Sequence, residues 1–221
     1  NIQIRSWFEE KLGIHVILKN DINLAILGEK QRLKEKSDSN NAVLIYVDSG
    51  MGGAILNEGV VVEGDDGYAS EFGLISTYDQ FGNKLVYDLI CSINSIKKQI
   101  TYKKMTGSST ILPDKFRYKD VVEAFNNNDQ ITHEVIKYTA CKIGELISNL
   151  TSILNYKEFL IGGRIKLLGN KYLEWINESI SELNNKVHIS YTNIDDESII
   201  FGTIHYGVTY TFDEIAKNNN E

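Results

Sequence analysis

The chain has 221 residues, 42% of them hydrophobic, with 17 Gly, one Pro and two Cys, and its 23 Lys and Arg against 30 Asp and Glu leave a formal charge of −7. That length suits one globular domain, or one and a half small lobes, with a real core, and an acidic balance without a clustered Lys/Arg tract argues against a nucleic-acid-binding surface on this polypeptide. No apolar run approaches the roughly 18 residues of a membrane span, and Cys91 and Cys141 offer neither a disulfide framework nor a Cys-x-x-Cys zinc site, so a soluble, cytoplasmic protein with no membrane contact is expected.

In chain order, residues 2–12 read as a helix, with Ile4, Trp7, Phe8 and Leu12 at helical spacing and Gly13 as its stop. His15–Leu18 reads as a short apolar strand, and Asn20-Asp21 leads into a helix over roughly 22–36. Ala42–Val47 is a β-rich run, followed by Asp48-Ser49-Gly50-Met51-Gly52-Gly53. Ala54–Leu56 and Val60–Val62 flank Asn57-Glu58-Gly59, which is hairpin chemistry. Helices are expected over 83–104, 119–125 and 130–154. A strand at Glu158–Ile161 then runs into Gly162-Gly163, and a helix over about 170–184 follows. The strand Val187–Tyr191 and a last helix from about Asp196 or Ser198 to Ala216 complete the chain. A three-strand meander followed by helices alternating with two further strands predicts an α/β fold, a mixed sheet covered by helices on both faces.

Glycine is unevenly spread. Seven of the 17 (Gly50, Gly52, Gly53, Gly59, Gly64, Gly67 and Gly73) fall in one short stretch, which marks tight turns or a ligand lying against the main chain. A strand running into a Gly-rich turn can present its amides to a phosphate, although on its own Asp48–Gly53 favours a plain hairpin turn. Gly162-Gly163 at the end of a buried strand is either an ordinary turn or a place where a ligand approaches the backbone. Asn20-Asp21 at a strand-to-helix junction offers an amide and a carboxylate to a polyhydroxylated ligand, and the carboxylate could act as a general base; helix capping accounts for it as well. Glu71 sits in Gly67-Tyr68-Ala69-Ser70-Glu71-Phe72-Gly73, either a solvated loop acid or one aimed into a cleft. His15, His133, His188 and His205 show no ligand spacing.

Taken in order, the runs Asn20–Glu29, Asp48–Ile55, Asn57-Glu58-Gly59, Gly67–Gly73 and Leu160-Ile161-Gly162-Gly163 resemble the second half of the ROK family of repressors, open reading frames and sugar kinases. The resemblance covers essentially the whole chain. It implies an RNase H-like, actin-like ATPase lobe, with residues 1–40 as the end of a first lobe plus an inter-lobe helix and 41–221 as the C-terminal lobe. By analogy Asn20 would bond a sugar hydroxyl, Asp21 would match the kinases' base, and Glu71 a sugar-contacting acid. Gly50, Gly52 and Gly53 would match a second phosphate loop, and Gly162 and Gly163 the nucleotide-side glycines.

Departures from the family pattern carry as much weight. The family usually has His three residues after that Glu, where Leu74 stands here, and a cysteine-rich zinc segment follows, where Ile75–Asn83 contains no cysteine. Ser70 replaces the usual Gly. No structural zinc and a weakened or altered hexose site are therefore expected. Family kinases also open their first lobe with an Asp-x-Gly-Gly-Thr loop; none precedes Asn20, and the first residue is Asn, as in a chain that begins near the end of a first lobe. This polypeptide alone is expected to transfer no phosphoryl group. The expected role is the sugar-sensing and oligomerisation part of a ROK-type transcriptional regulator. It would form a homodimer or higher homo-oligomer and reach DNA only through an upstream domain. The alternative is the C-terminal lobe of a hexose kinase using ATP and Mg, and a ligand-free structural role is the third reading.

Overall fold

The computed structural model describes residues 3–36, 40–180, 186–193 and 196–218. Its centre is a five-stranded sheet of β1 (Ala42–Val47), β2 (Met51–Asn57), β3 (Val60–Val61), β6 (Glu158–Gly162) and β7 (His188–Tyr191), in the order β3-β2-β1-β6-β7. The meander β1-β2-β3 is antiparallel, with Val47 opposite Met51 and Leu44 opposite Ala54, while β1–β6 and β6–β7 are parallel, with Ile45 opposite Ile161. The mixed sheet is therefore as expected.

Alternation along the strands sends side chains to both faces, and both faces are buried. Val43, Ile45, Val47, Phe159 and Ile161 face one core, built with α3 (Asp88–Cys91), α4 (Ile93–Met105), α5 (Tyr118–Asn126), α6 (Gln130–Leu154) and α7 (Asn170–Ser179). Ala42, Leu44, Ala54, Leu56 and Leu160 face a smaller core closed by α2 (Asp21–Lys36) and α8 (Asp196–Asn218). Those two helices cross at unusually short range: a Cβ on Gly28 would overlap the Ser198 carbonyl, and one on Gly202 the Leu24 carbonyl. The fully buried Glu29 accepts the Ser198 hydroxyl at 2.7 Å and the Asn193 amide at 3.2 Å, fastening α2 to the start of α8.

Four expectations need correction. His15–Leu18 is not a strand; no described strand runs beside it to supply ladder partners, and Leu18 stays 53% exposed. Residues 83–104 are not one helix: β5 (Lys84–Val86) pairs with β4 (Ser76–Tyr78), and the chain restarts at Ser92, whose extended backbone and side chain cap α4. The second sheet strand begins at Met51, so Gly52 and Gly53 lie within it. The helix expected over 170–184 is α7, ending at Ser179, with residues 181–185 outside the described ones. The helix α1 (Ile4–Leu12), capped by Gly13 in the left-handed region, buries none of its residues.

Candidate functional site

The parallel strands β1 and β6 end side by side, and each delivers a glycine turn to the same edge of the sheet. Ligands in open α/β sheets sit outside such carboxyl ends, where chain connections diverge to the two sides. Here β1 leaves toward β2 while β6 lies on its other flank. Gly163 (φ 85°, ψ −179°) takes a conformation open essentially to glycine alone, and a Cβ there would overlap the Val47 carbonyl. That close approach puts Arg164 over the turn that follows β1.

Arg164 closes the corner. Its Nε donates to Asp48 Oδ2 at 2.9 Å and to Oδ1 at 3.1 Å, its second guanidinium nitrogen also reaches Asp48 and Ser49 Oγ, and its backbone amide donates to Asp48 Oδ2 at 3.2 Å. Ser49 adds its amide to Asp48 Oδ1 at 2.6 Å. The Arg164 guanidinium, helped by these two amides against partial burial, holds the Asp48 carboxyl down at about 2. Two residues after Ser49, the Met51 amide donates to Asp88 Oδ1 at 2.7 Å. Of the amides around the two turns, those of Ser49, Met51 and Arg164 thus already face carboxylates of the protein itself. Phosphate oxygens at these three amides would have to displace the carboxylates or sit among like charges.

The other predicted residues reach the same edge through glycine contacts. Ile22 Cδ1 lies where a Cβ of Gly52 would be, which sets the start of α2, and so Asn20-Asp21, against β2. The Phe72 ring occupies the Cβ position of Gly53, and Gly73 lies on the Met51 carbonyl, so Glu71 is carried immediately ahead of two docking points on β2. Asn20, Asp21 and Glu71 are all exposed. Asn20 Oδ1 accepts the amides of Ile22 (2.9 Å) and Asn23 (3.2 Å), the geometry of an N-cap; Asp21 Oδ1 also accepts Ile22 N at 2.9 Å. Beside them, Lys19 Nζ reaches Glu63 at 2.7 and 2.8 Å. Burial works against the Lys19 charge, yet Glu63 and Tyr206 hold its pKa above the ordinary lysine value.

Ser70 stands at φ 68°, in the region that favours glycine, and its hydroxyl is buried with no partner. The segment expected to stand in for a zinc loop is the β4–β5 hairpin, organised by a side chain: Asp79 accepts the amides of Phe81 (2.8 Å) and Asn83 (2.9 Å) and the Asn83 side chain. It is tied to α6 where Thr77 and Tyr87 donate to Glu145 and Lys142 pairs with Glu145 at 2.7 Å. Cys91 is fully buried, which pushes its thiol pKa far up, and among the described residues no group of three His, Cys, Asp or Glu side chains could hold a metal ion.

Sequence reasoning missed Arg164 and Asp88 and left Asp48 without a role. Arg164 follows Gly162-Gly163 directly and Asp48 opens the glycine turn, so opposite charges at the ends of two neighbouring strands were the available signal; nothing local pointed to Asp88, 37 positions from its partner.

A sequence profile described as the ROK family matches residues 1–199. A glucokinase of Halalkalibacterium halodurans is 27% identical over 187 residues, covering 79% of this chain and 56% of that protein. A xylose repressor of Caldicellulosiruptor bescii is 22% identical over 225 residues, covering 92% and 55%. The solved structure of a ROK family transcriptional regulator, a homologue of the E. coli MLC protein, superposes with a TM-score of 0.76 at 22% identity, over 91% of this chain and 54% of that one. The chain spans about half the length of the curated relatives it matches.

Proposed function

The chain belongs to the ROK family, and from that premise we propose that it is the sugar-sensing part of a ROK-type transcriptional regulator. The observation that carries the reading is the self-occupied corner: Asp48, locked by Arg164, and Asp88 take up three amides of the glycine turns. Phosphoryl transfer works by positioning and charge-clamping of phosphates and metal, and a corner already filled by carboxylates serves that poorly. Sensing needs only binding. Asn20, Asp21 and Glu71 supply an amide and two carboxylates at an exposed edge, a set suited to sugar hydroxyls. Leu74, where family members usually carry His, narrows what that set can hold.

DNA would be reached through another part of the protein, and two or more copies would assemble to read a two-fold operator. Asn20-Asp21 at a helix start beside glycine turns favours the second reading, a lobe of an ATP-dependent hexose kinase.

The test is thermal unfolding of the full-length protein against hexoses, N-acetylhexosamines and pentoses, with an ATP- and magnesium-coupled turnover assay on the same panel. Saturation at about 100 times Kd adds roughly 2.7 kcal/mol, which at about 2 to 4 °C per kcal/mol raises Tm by several degrees. A sugar that raises Tm without turnover is expected. Robust turnover abolished by Asp21→Asn would overturn the regulator reading in favour of the kinase.

A further inference from the structure

A cleft of about 510 Å³ opens between the start of α2, the edge strand β3 with the loop after it, and the outer half of α8. Its volume lies within the roughly 300–1,000 Å³ of small-molecule sites, and it is roomier than a single pyranose ring requires. Asn20, Asp21 and Glu71 lie outside its lining, but two of its walls adjoin them along the chain. Lys19, one residue before Asn20, forms part of the first wall. Glu63 and Gly64 form the second, and the Ala69 amide donates to the Glu63 carbonyl at 3.1 Å, which folds the intervening loop back so that Glu71 follows two residues later. The Lys19–Glu63 pair bridges the walls.

The interior is chemically mixed. The rings of Tyr206 and Tyr210 lie nearly parallel, 19° apart with centroids at 6.3 Å, and Lys19 Nζ sits 4.8 Å over Tyr206. Asn23, only 7% exposed, and the exposed Asp213 add polar groups at either end. Tyr210 also stacks on His15, with centroids 6.2 Å apart at 21°, so the two tyrosines form a row between His15 and Lys19. What this row leaves open matches the apolar C–H groups of a sugar ring, while amide, carboxylate and ammonium groups around the rim match its hydroxyls. Lys19 and Glu63 neutralise each other, which suits an uncharged ligand.

We infer that this cleft is an aromatic-lined extension of the sugar site, so that the effector is an uncharged disaccharide or longer glycoside with one ring at Asn20, Asp21 and Glu71 and the next against Tyr206 and Tyr210. The inference rests on the sugar-sensing reading and adds the size class of the ligand.

Calorimetric titration of the full-length protein with glucose, maltose, cellobiose, N-acetylglucosamine and N,N′-diacetylchitobiose tests it. One disaccharide is expected to bind at least tenfold more tightly than its own monosaccharide. Tyr210→Ala should remove that advantage and leave the monosaccharide affinity unchanged, whereas Asn20→Ala should weaken both. Thr209→Trp, which fills the cleft from an exposed position without deleting a tyrosine, should reproduce the Tyr210→Ala result if that variant folds poorly. Equal affinities for monosaccharide and disaccharide, or a disaccharide preference that survives both cleft variants, overturn the extension and leave the sugar-sensing reading standing. No heat from any of the five sugars overturns both.

Discussion

Two corners of the same sheet edge dispose their charged groups differently. At the ends of β1 and β6 the polar groups are satisfied internally: Asp48 is gripped by Arg164 and by two amides, and Asp88 takes a third. At the start of α2 and in the 70–73 turn, Asn20, Asp21 and Glu71 are held from behind by glycine contacts and face outward. The glycines do similar work in both corners, bringing backbone against backbone or ring. What differs is where the charged groups point. One corner uses both oxygens of Asp48 in holding itself together; in the other, Asn20 Oδ1 and Asp21 Oδ1 cap the start of α2, while Glu71 faces outward.

Four substitutions would break or sharpen that contrast. The largest effect is expected at Gly163→Ala, which adds a Cβ against the Val47 carbonyl at a φ of 85°. Strained backbone costs about 1–3 kcal/mol and overpacking a similar amount, so a loss of about 4 kcal/mol is expected in urea unfolding; a loss under about 1 kcal/mol would show that the turn relaxes freely. Next, Asn20→Asp preserves a good N-cap and so should leave Tm nearly unchanged while weakening sugar binding by about 1–3 kcal/mol. If affinity and Tm fall together, Asn20 is only a cap. Ser70→Gly relieves both a left-handed non-glycine backbone and a buried hydroxyl without a partner, and the gain, reduced by the greater freedom of glycine in the unfolded chain, should be about 1 kcal/mol in Tm analysis.

The smallest effect concerns pH. The folded Asp48 carboxyl sits at about 2, below its ordinary 3.8, so its contribution is fully present above pH 4 and is lost as pH falls from about 4 through about 2. Because Arg164 is 53% exposed, screening reduces the contribution to roughly 1 kcal/mol or less. Asp48→Asn should flatten the acid limb of stability in that window and leave sugar affinity at pH 7 untouched. An unchanged acid limb would mean that the pair adds nothing to stability.

The sheet was readable because its signals are local. Ala42–Val47 and Glu158–Ile161 are short apolar runs buried on both faces, and Asn57-Glu58-Gly59 carries the turn chemistry that fixes the hairpin, with Glu58 at φ 51° and Gly59 at φ 83°. The long α6 was readable end to end from its apolar stripe; Asp129, whose side chain accepts the Thr132 amide at its start, was a further signal left unread. Local pattern failed where the outcome depends on distant partners. Apolar spacing in 83–104 looks helical, yet Lys84–Val86 pairs with Ser76–Tyr78 and Ser92 interrupts the rest. His15–Leu18 has strand composition without a neighbouring strand. At the site, residue types and order were visible while the charge pairing was not: Arg164 meets Asp48 across 116 positions, and only the parallel register of β1 and β6 brings them together.

The most direct test of the central claim is a calorimetric titration of the full-length protein with ATP and magnesium, run with and without a sugar that stabilises it. The self-occupied corner predicts no measurable nucleotide binding in either condition and sugar binding that nucleotide leaves unchanged. Nucleotide binding that tightens when sugar is present and weakens in Asp21→Asn would contradict the account.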